Sequence, residues 1–209
     1  MSRELSAKGQ ATRQRLLDAA VEYLAADGTV EVAKIAEAAG VSPSVIYRYF
    51  DGRDGLVAAV VDGFYDDYQE RVFDRRDVPG TTWRVREAVR LELEIAFFYD
   101  HPLGRAVAGG LLREPAAAQV DAGRTRAHSE TAARNIRSGQ RSGELAPSID
   151  AGLAGAAIIG AVRAMIGEAL VRTPPADQRA VVTAALSVGA AMLGVGELAP
   201  TPTTRGPRR

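Results

Sequence analysis

Apolar residues recur at three- and four-residue spacing along most of this chain, and no segment alternates apolar and polar residues between turn signals. Strands need the alternation and amphipathic helices the wider spacing, so an all-α fold is expected. Leu17, Ala20, Val21 and Leu24 form one such set, predicting a helix over about 11–26 that Asp27-Gly28 stops. Val32, Ile35, Ala36 and Ala39 form the next, ending at Gly40, the residue type that most readily closes a helix. Ser42-Pro43 then reads as an N-cap followed by proline at the first helical position, opening a third helix that ends near Phe50. Asp51 or Gly52 caps a long fourth helix reaching about Asp77, before the Pro79-Gly80 break. Further helices are predicted at 81–100, 103–113, 115–141, 149–171 and 176–196, bounded by His101-Pro102, Pro115, Gly143 with Pro147, and Pro174-Pro175. About nine helices result. Residues 1–10 read as a flexible arm and 198–209, rich in Pro, Thr and Arg, as a disordered tail.

Composition removes several functional classes. The chain has 46% hydrophobic and 25% charged residues, a globular balance. It has no cysteine, so disulfides, zinc-thiolate sites and cysteine nucleophiles are excluded. Its two histidines, His101 and His128, lack the i+3 or i+4 partner of a helical metal site. Neither a glycine-rich phosphate loop nor a nucleophile elbow is present. No metal, cofactor or enzymatic activity is therefore expected; a small helical enzyme and a non-DNA-binding helical adaptor stay as the alternatives. The polar start MSRELSAKGQ lacks a signal-peptide core. The charge-free run Ala180–Gly196 spans 17 residues, the lower limit for crossing a bilayer, and is rich in small residues; it reads as a buried soluble helix. A cytoplasmic protein with no membrane partner is expected.

Residues 30–50, VEVAKIAEAAGVSPSVIYRYF, read as two short helices joined by a glycine turn. In a helix-turn-helix the second of these enters the DNA major groove. At 100° per residue Ile46 and Phe50 face one way, leaving Ser44 and Arg48 opposite them with Val45 and Tyr47 on the flanks. Arginine can grip guanine, serine a base edge or a phosphate, and valine a thymine methyl, while Tyr47 and Tyr49 can donate to phosphates. A plain αα-hairpin inside a bundle accounts for the glycine turn equally well, but not for this outward face.

The block from Thr12-Arg13 to Leu56 resembles the DNA-binding domain of TetR-family transcriptional regulators. The resemblance lies in TRQRLLDAAVEYLAADG, then VAKIAEAAGVSPSVIYRYF, then DGRDGL, in that order over some 45 residues. SGELAPSID, leading into a long apolar helix, resembles the family's regulatory domain. The resemblance implies a three-helix DNA-binding domain over 11–55, a helical ligand-binding and dimerisation domain over 56–197, and a ligand-responsive regulator, usually a repressor. It implies that Pro43, Ser44, Val45 and Arg48 approach bases, and that Ser42, Tyr47 and Tyr49 contact mainly backbone. Thr12 and Arg53 match common phosphate-contact positions, and Lys34, where the family is often acidic, joins the DNA-contacting set. The chain departs from the pattern in its short Gly28-Thr29-Val30-Glu31 connection, in Glu31 and Val30 where a Ser/Thr cap is usual, and in Gly52 where serine is common.

The second half is built differently, because all 12 aromatic residues lie at or before Tyr99. Helix 149–171 carries the small-residue row Gly152, Ala156, Gly160, Ala164, and helix 176–196 carries Ala180, Ala184 and Ala185, Gly189. Such rows allow close helix approach, whether within the chain or between two copies. The family's last two helices form a four-helix dimer interface, which favours a homodimer through 149–171 and 176–196. The family also implies a small-molecule effector in a pocket, for which Phe64, Tyr68, Trp83, Phe97, Phe98, Leu111, Leu112, Met165 and Ile166 are the candidates; ordinary core packing is the competing role of each. Arg86, Arg90, Glu92, Glu94 and Arg163 lie on or near apolar faces and could orient a polar ligand.

Net charge is zero, 26 basic against 26 acidic residues. That balance excludes a polycation but not a DNA-binding protein. It predicts weak non-specific affinity and dependence on a matched, palindromic site.

Overall fold

The computed structural model describes residues 6–27, 30–75, 77–196 and 198. Nine α-helices and no strand occur among them: α1 (Ala7–Asp27), α2 (Val32–Ala38), α3 (Pro43–Phe50), α4 (Gly52–Tyr68), α5 (Trp83–Asp100), α6 (Gly104–Gly109), α7 (Pro115–Arg141), α8 (Ala151–Val171) and α9 (Gln178–Met192). A π-helical turn, Gln69–Phe73, follows α4, and a 3₁₀ turn, Leu111–Arg113, follows α6. The fold is all-α, as expected. Three expected helices are clearly shorter: the fourth gives way to the π turn after Tyr68, the 103–113 helix is split at Gly110, whose φ is 142°, and the last, expected over 176–196, spans Gln178–Met192. Helix α1 starts inside the expected arm because Ser6 caps it, its hydroxyl accepting from Gly9 N at 3.3 Å. Within the expected tail Leu198 is buried, and residues 199–209, like 1–5, lie outside the described residues.

The chain forms two compact units, interleaved in sequence where a boundary at 55/56 was expected. One comprises residues up to Asp67 with Asp100–Arg124; the other comprises Tyr68–Tyr99 with residues from Thr125 onward. In the first unit α2 packs on α1 and α3, and α6 lies against α1. Its core takes Leu16, Ala20 and Leu24 from α1, so the buried stripe sits one position round from the one expected on Leu17 and Val21. Helix α2 closes in a Schellman motif: Gly40 N donates to Glu37 O and Val41 N to Ala36 O, both at 2.9 Å, with Gly40 at φ 67°. Helix α3 follows at once, with Ser42 extended at its N-cap and Pro43 at its first position. At its far end the Phe50 carbonyl points at Gly55 of α4, where a Cβ would lie 1.3 Å from the oxygen.

In the second unit, α5 is anchored by α7 and the turn after it. Glu144 accepts from Trp83 N at 2.7 Å and from Arg84 N at 3.3 Å, and the Trp83 indole donates to Asn135 O at 2.7 Å. Asp150 and Asp177 cap α8 and α9, accepting from Leu153 N at 2.9 Å and Ala180 N at 3.0 Å. The small-residue rows part company here. Gly155 and Ile159 bury one face of α8, and a Cβ at Gly155 would come within 2.8 Å of the α7 backbone at Ala133 and Ser129. The Gly152, Ala156, Gly160, Ala164 row is exposed, as are Leu153 (73%) and Val171. On α9 Ala185 and Gly189 are buried while Ala180 and Ala184 are exposed. Helix α8, rather than the 180–196 run, has the length and apolarity to cross a membrane, though a third of its apolar window is packed inside the protein.

The α3–α4 corner should fail on a single methyl group. Gly55→Ala drives Cβ into a backbone carbonyl that cannot move without displacing α3, and we expect a loss of roughly 3 kcal/mol or more in urea denaturation. Gly63→Ala, in the same helix with nothing within 4 Å of its Cβ, should instead gain roughly 0.5–1 kcal/mol. Equal effects would show that the corner carries no such constraint.

Candidate nucleic-acid interface and buried cavity

Helix α3 presents the face that its sequence forecast. Ile46 and Phe50 are buried; Ser42, Pro43, Ser44, Tyr47 and Arg48 are exposed, with Val45 and Tyr49 half-buried between them. Tyr47 is 63% exposed, so its ring lies in solvent on a helix whose other half anchors the core. Gly52 explains its own departure from the usual serine. Its φ is 91°, and a Cβ there would be 3.2 Å from the Tyr47 ring, so a side chain would be strained and would also displace Tyr47. Ser42 and Ser44 share a hydrogen bond of 2.8 Å at the start of the helix.

The remaining expected DNA contacts are already engaged. Thr12 donates its hydroxyl to Lys8 O at 3.0 Å. Lys34 is 2.9 Å from Glu31, which also accepts from the Tyr23 hydroxyl at 2.9 Å. The Lys34 and Tyr23 hydrogen bonds hold the Glu31 carboxyl below the usual carboxylate range. Thus Glu31, which stands at the N-cap of α2 without capping it, holds a cation instead. Arg53 pairs with Glu114 at 2.9 Å and donates to Val30 O at 3.4 Å. Its hydrogen bond lowers the Glu114 pKa. For Lys34 or Arg53 to meet a phosphate, that phosphate must replace or share a carboxylate. Glu114 escaped the sequence reading because it lies 61 residues from Arg53.

The second unit encloses a cavity of about 60 Å³. Phe73, Trp83, Leu91, Ile136 and Leu198 give it apolar walls, and Glu87, Arg90, Glu94 and Asn135 give it polar ones. Glu94, 4% exposed, accepts from the Tyr68 hydroxyl at 2.6 Å. Burial pushes its carboxyl up to about 7, against the Tyr68 hydrogen bond and the charge of Arg163. Glu87 pairs with Arg90 and accepts from the Asn135 amide at 3.5 Å. His128 is 2% exposed, stacked on Phe73 and edge-on to Tyr68 with ring centroids 4.8 Å apart in each case.

Of the nine pocket candidates, Trp83 lines this cavity. Tyr68 touches it through Glu94, while Phe97 and Phe98 form an aromatic cluster with Tyr68. Ile166 is buried and Met165 half-buried in α8. Phe64 and Leu111 are buried in the first unit, Phe64 against the His101 ring, and the side chain of Leu112 lies outside the described residues. Glu87, Asn135 and Leu198 carried no sequence signal for a pocket. Glu94 and Arg90 did, as charges on the apolar stripe of α5.

Residues 16–60 match the model of bacterial regulatory proteins of the tetR family. The HTH-type transcriptional regulator SrpR of Pseudomonas putida is 36% identical over 63 residues, 29% of this chain and 30% of the relative. The chain spans less than half the length of the curated relatives it matches. Two solved structures share the fold over most of both chains. The transcriptional regulator FadR of Bacillus subtilis, in complex with stearoyl-CoA, has a TM-score of 0.70 at 22% identity over 86% of this chain and 97% of FadR. SmeT, the repressor of the Stenotrophomonas maltophilia multidrug efflux pump SmeDEF, has a TM-score of 0.70 at 20% identity over 88% and 90%.

Glu94 should leave a pH signature on stability. Its folded pKa of about 7 lies above the ordinary 4.5, so between those values the folded chain holds a proton that the unfolded chain has lost. Stability from this group therefore falls as pH rises from 4.5 to 7 and levels off above. The full effect is about 3 kcal/mol at ~1.4 kcal/mol per pH unit. Glu94→Gln stays neutral and keeps the Tyr68 hydrogen bond, so its unfolding free energy relative to the parent should rise by about that amount between pH 4.5 and 8. Parallel pH profiles in urea denaturation would contradict the assignment.

Proposed function

We propose that this chain, whose residues 16–60 match the tetR family of bacterial regulatory proteins, is a member of that family and a ligand-responsive transcriptional regulator that reads palindromic operator DNA as a homodimer. The observation that carries the reading is the outward face of α3, Ser42 to Arg48, held on two buried anchors within the family-matched stretch. Family membership is the ground for reading a regulator rather than an enzyme or adaptor. We assign base contacts to Pro43, Ser44, Val45 and Arg48, and backbone contacts to Ser42, Tyr47, Tyr49, Thr12, Lys34 and Arg53. Repression is our expected output, and the cytoplasm, where the operator lies, our expected compartment.

One α3 helix spans too few base pairs for genomic specificity, so two must act together with half-sites about 34–36 Å apart or a multiple of that. The exposed Gly152, Ala156, Gly160, Ala164 row, continued by Leu153 and by Ala180 and Ala184 of α9, is the face we assign to dimerisation. For response, the effector enters the second unit and acts through α4. That helix begins beside α3 and ends at Tyr68, whose hydroxyl is bonded to the cavity residue Glu94. Disturbing that bond shifts α4, changes the separation of the paired α3 helices and lowers affinity for both half-sites at once. FadR of Bacillus subtilis holds stearoyl-CoA. A cavity of about 60 Å³ argues for a much smaller effector here.

Gel retardation on DNA upstream of the gene should give a sequence-specific complex. Arg48→Ala should weaken it by roughly 1–3 kcal/mol, and Tyr47→Ala should weaken it too. Equal binding to random DNA would sink the reading. Gly160→Glu, at an exposed position where a Cβ would meet nothing within 4 Å in the single chain, should leave the fold intact and yield a monomer in sedimentation velocity. An unaltered dimer would place the interface elsewhere.

A further inference from the structure

Two cations that we assign to phosphates lie on one strip of the first unit, each against a carboxylate. Lys34 pairs with Glu31 at 2.9 Å, and Tyr23 serves both partners: its hydroxyl donates to the same Glu31 oxygen, and the Lys34 ammonium lies 5.6 Å from the centre of its ring. The residue before Glu31 carries the strip onward, because the Val30 carbonyl accepts from Arg53 Nε at 3.4 Å. Arg53 Nη1 then meets Glu114 at 2.9 Å, with the Asp54 carboxylate further off at 3.6 Å. Charge therefore alternates in the order Lys34, Glu31, Arg53, Glu114. Solvent reaches all four side chains, so these pairs contribute little to holding the fold together. Glu31 stands at the N-cap position of α2 without capping it, and its carboxylate goes to Lys34 instead. To a lysine or an arginine, a carboxylate oxygen is the same kind of charged acceptor as a phosphate oxygen.

We infer that Glu31 and Glu114 stand in for DNA phosphates, holding Lys34 and Arg53 in a self-neutralised strip that the DNA backbone must displace. Each cation serves its carboxylate or a phosphate, not both at full strength, so these two acids lower the affinity of the chain for DNA. They act through the cations rather than on DNA itself. The assignment of Lys34 and Arg53 to phosphates rests on the regulator reading above.

Fluorescence anisotropy on the full-length protein, with the gene's upstream DNA and with a random-sequence duplex at about 100 mM KCl, tests the inference. Glu31→Gln and Glu114→Gln should each tighten binding to both duplexes by roughly threefold or more, and steepen the fall of log K with log salt by about one. Glu22→Gln, at an exposed acid of α1 outside the strip, matches their gain of one positive charge and should change affinity much less. Glu114→Asp keeps the charge and should stay nearer the parent than Glu114→Gln. Arg53→Ala should cost more affinity in the Glu114→Gln background than in the parent, because only there is the guanidinium released to meet DNA. Urea denaturation establishes that each variant folds. The inference is overturned if either glutamine variant at the strip gains no more than Glu22→Gln, or if Arg53→Ala costs the same in both backgrounds. Tightening on both duplexes with no preference for the upstream DNA upholds the strip and removes the regulator reading. A specific complex that the glutamine variants do not tighten removes the strip and leaves the regulator reading standing. No binding to either duplex by any variant overturns both.

Discussion

The first unit depends on one contact in which no side chain takes part. The Phe50 carbonyl ends α3 against the bare backbone of Gly55, and this closeness lets α4 start immediately beyond the reading helix. Asp51, in the left-handed region at φ 57°, and Gly52 turn the chain between them. With Ile46 and Phe50 buried beneath, α3 has little freedom to roll, so a helix of eight residues can hold Ser44, Tyr47 and Arg48 at a fixed angle to solvent. Short helices are marginal on their own. This one borrows its order from the corner.

Fixing the helix matters because long-range attraction contributes little. The chain is neutral overall, and two of the cations we assign to phosphates, Lys34 and Arg53, are held by Glu31 and Glu114. Each non-specific phosphate contact must compete with a carboxylate already in place, which lowers its yield. Arg48, exposed on α3, carries no such clamp among the ion pairs of the described residues. On the proposed function, discrimination falls on the short face of α3, where geometry decides more than charge.

Much of this was legible in the sequence because helix periodicity and capping are local. Gly40, Pro43 and the Ile46/Phe50 pair each act within one helical turn and behave as read, whereas Ser42 stands at the N-cap position but shares its hydroxyl with Ser44 and caps nothing. The α4 end was not legible, since a π turn keeps helical spacing through Phe73 while changing its pitch. Ser6 was passed over because lysine and glycine follow it, not an apolar run. The small rows of α8 show the limit most clearly. Gly152 and Gly155 are three residues apart and chemically identical, yet one faces solvent and the other the α7 backbone. Only the partner helix distinguishes them, and that partner is remote in sequence.

Glu94 poses the converse case, a residue visible in the sequence whose role depends on depth. On α5 it interrupts the stripe formed by Leu91, Ile95 and Phe98, where a leucine would pack without electrostatic cost. Burial pushes its carboxyl up to about 7, and the Tyr68 hydrogen bond and the charge of Arg163 offset that only in part. A chain under pressure for stability alone has no use for such a group at the edge of a cavity. Perturbed carboxyls of this kind concentrate where a protein has something to bind or to switch. Its carboxyl takes a hydrogen bond from Tyr68, the last residue of α4.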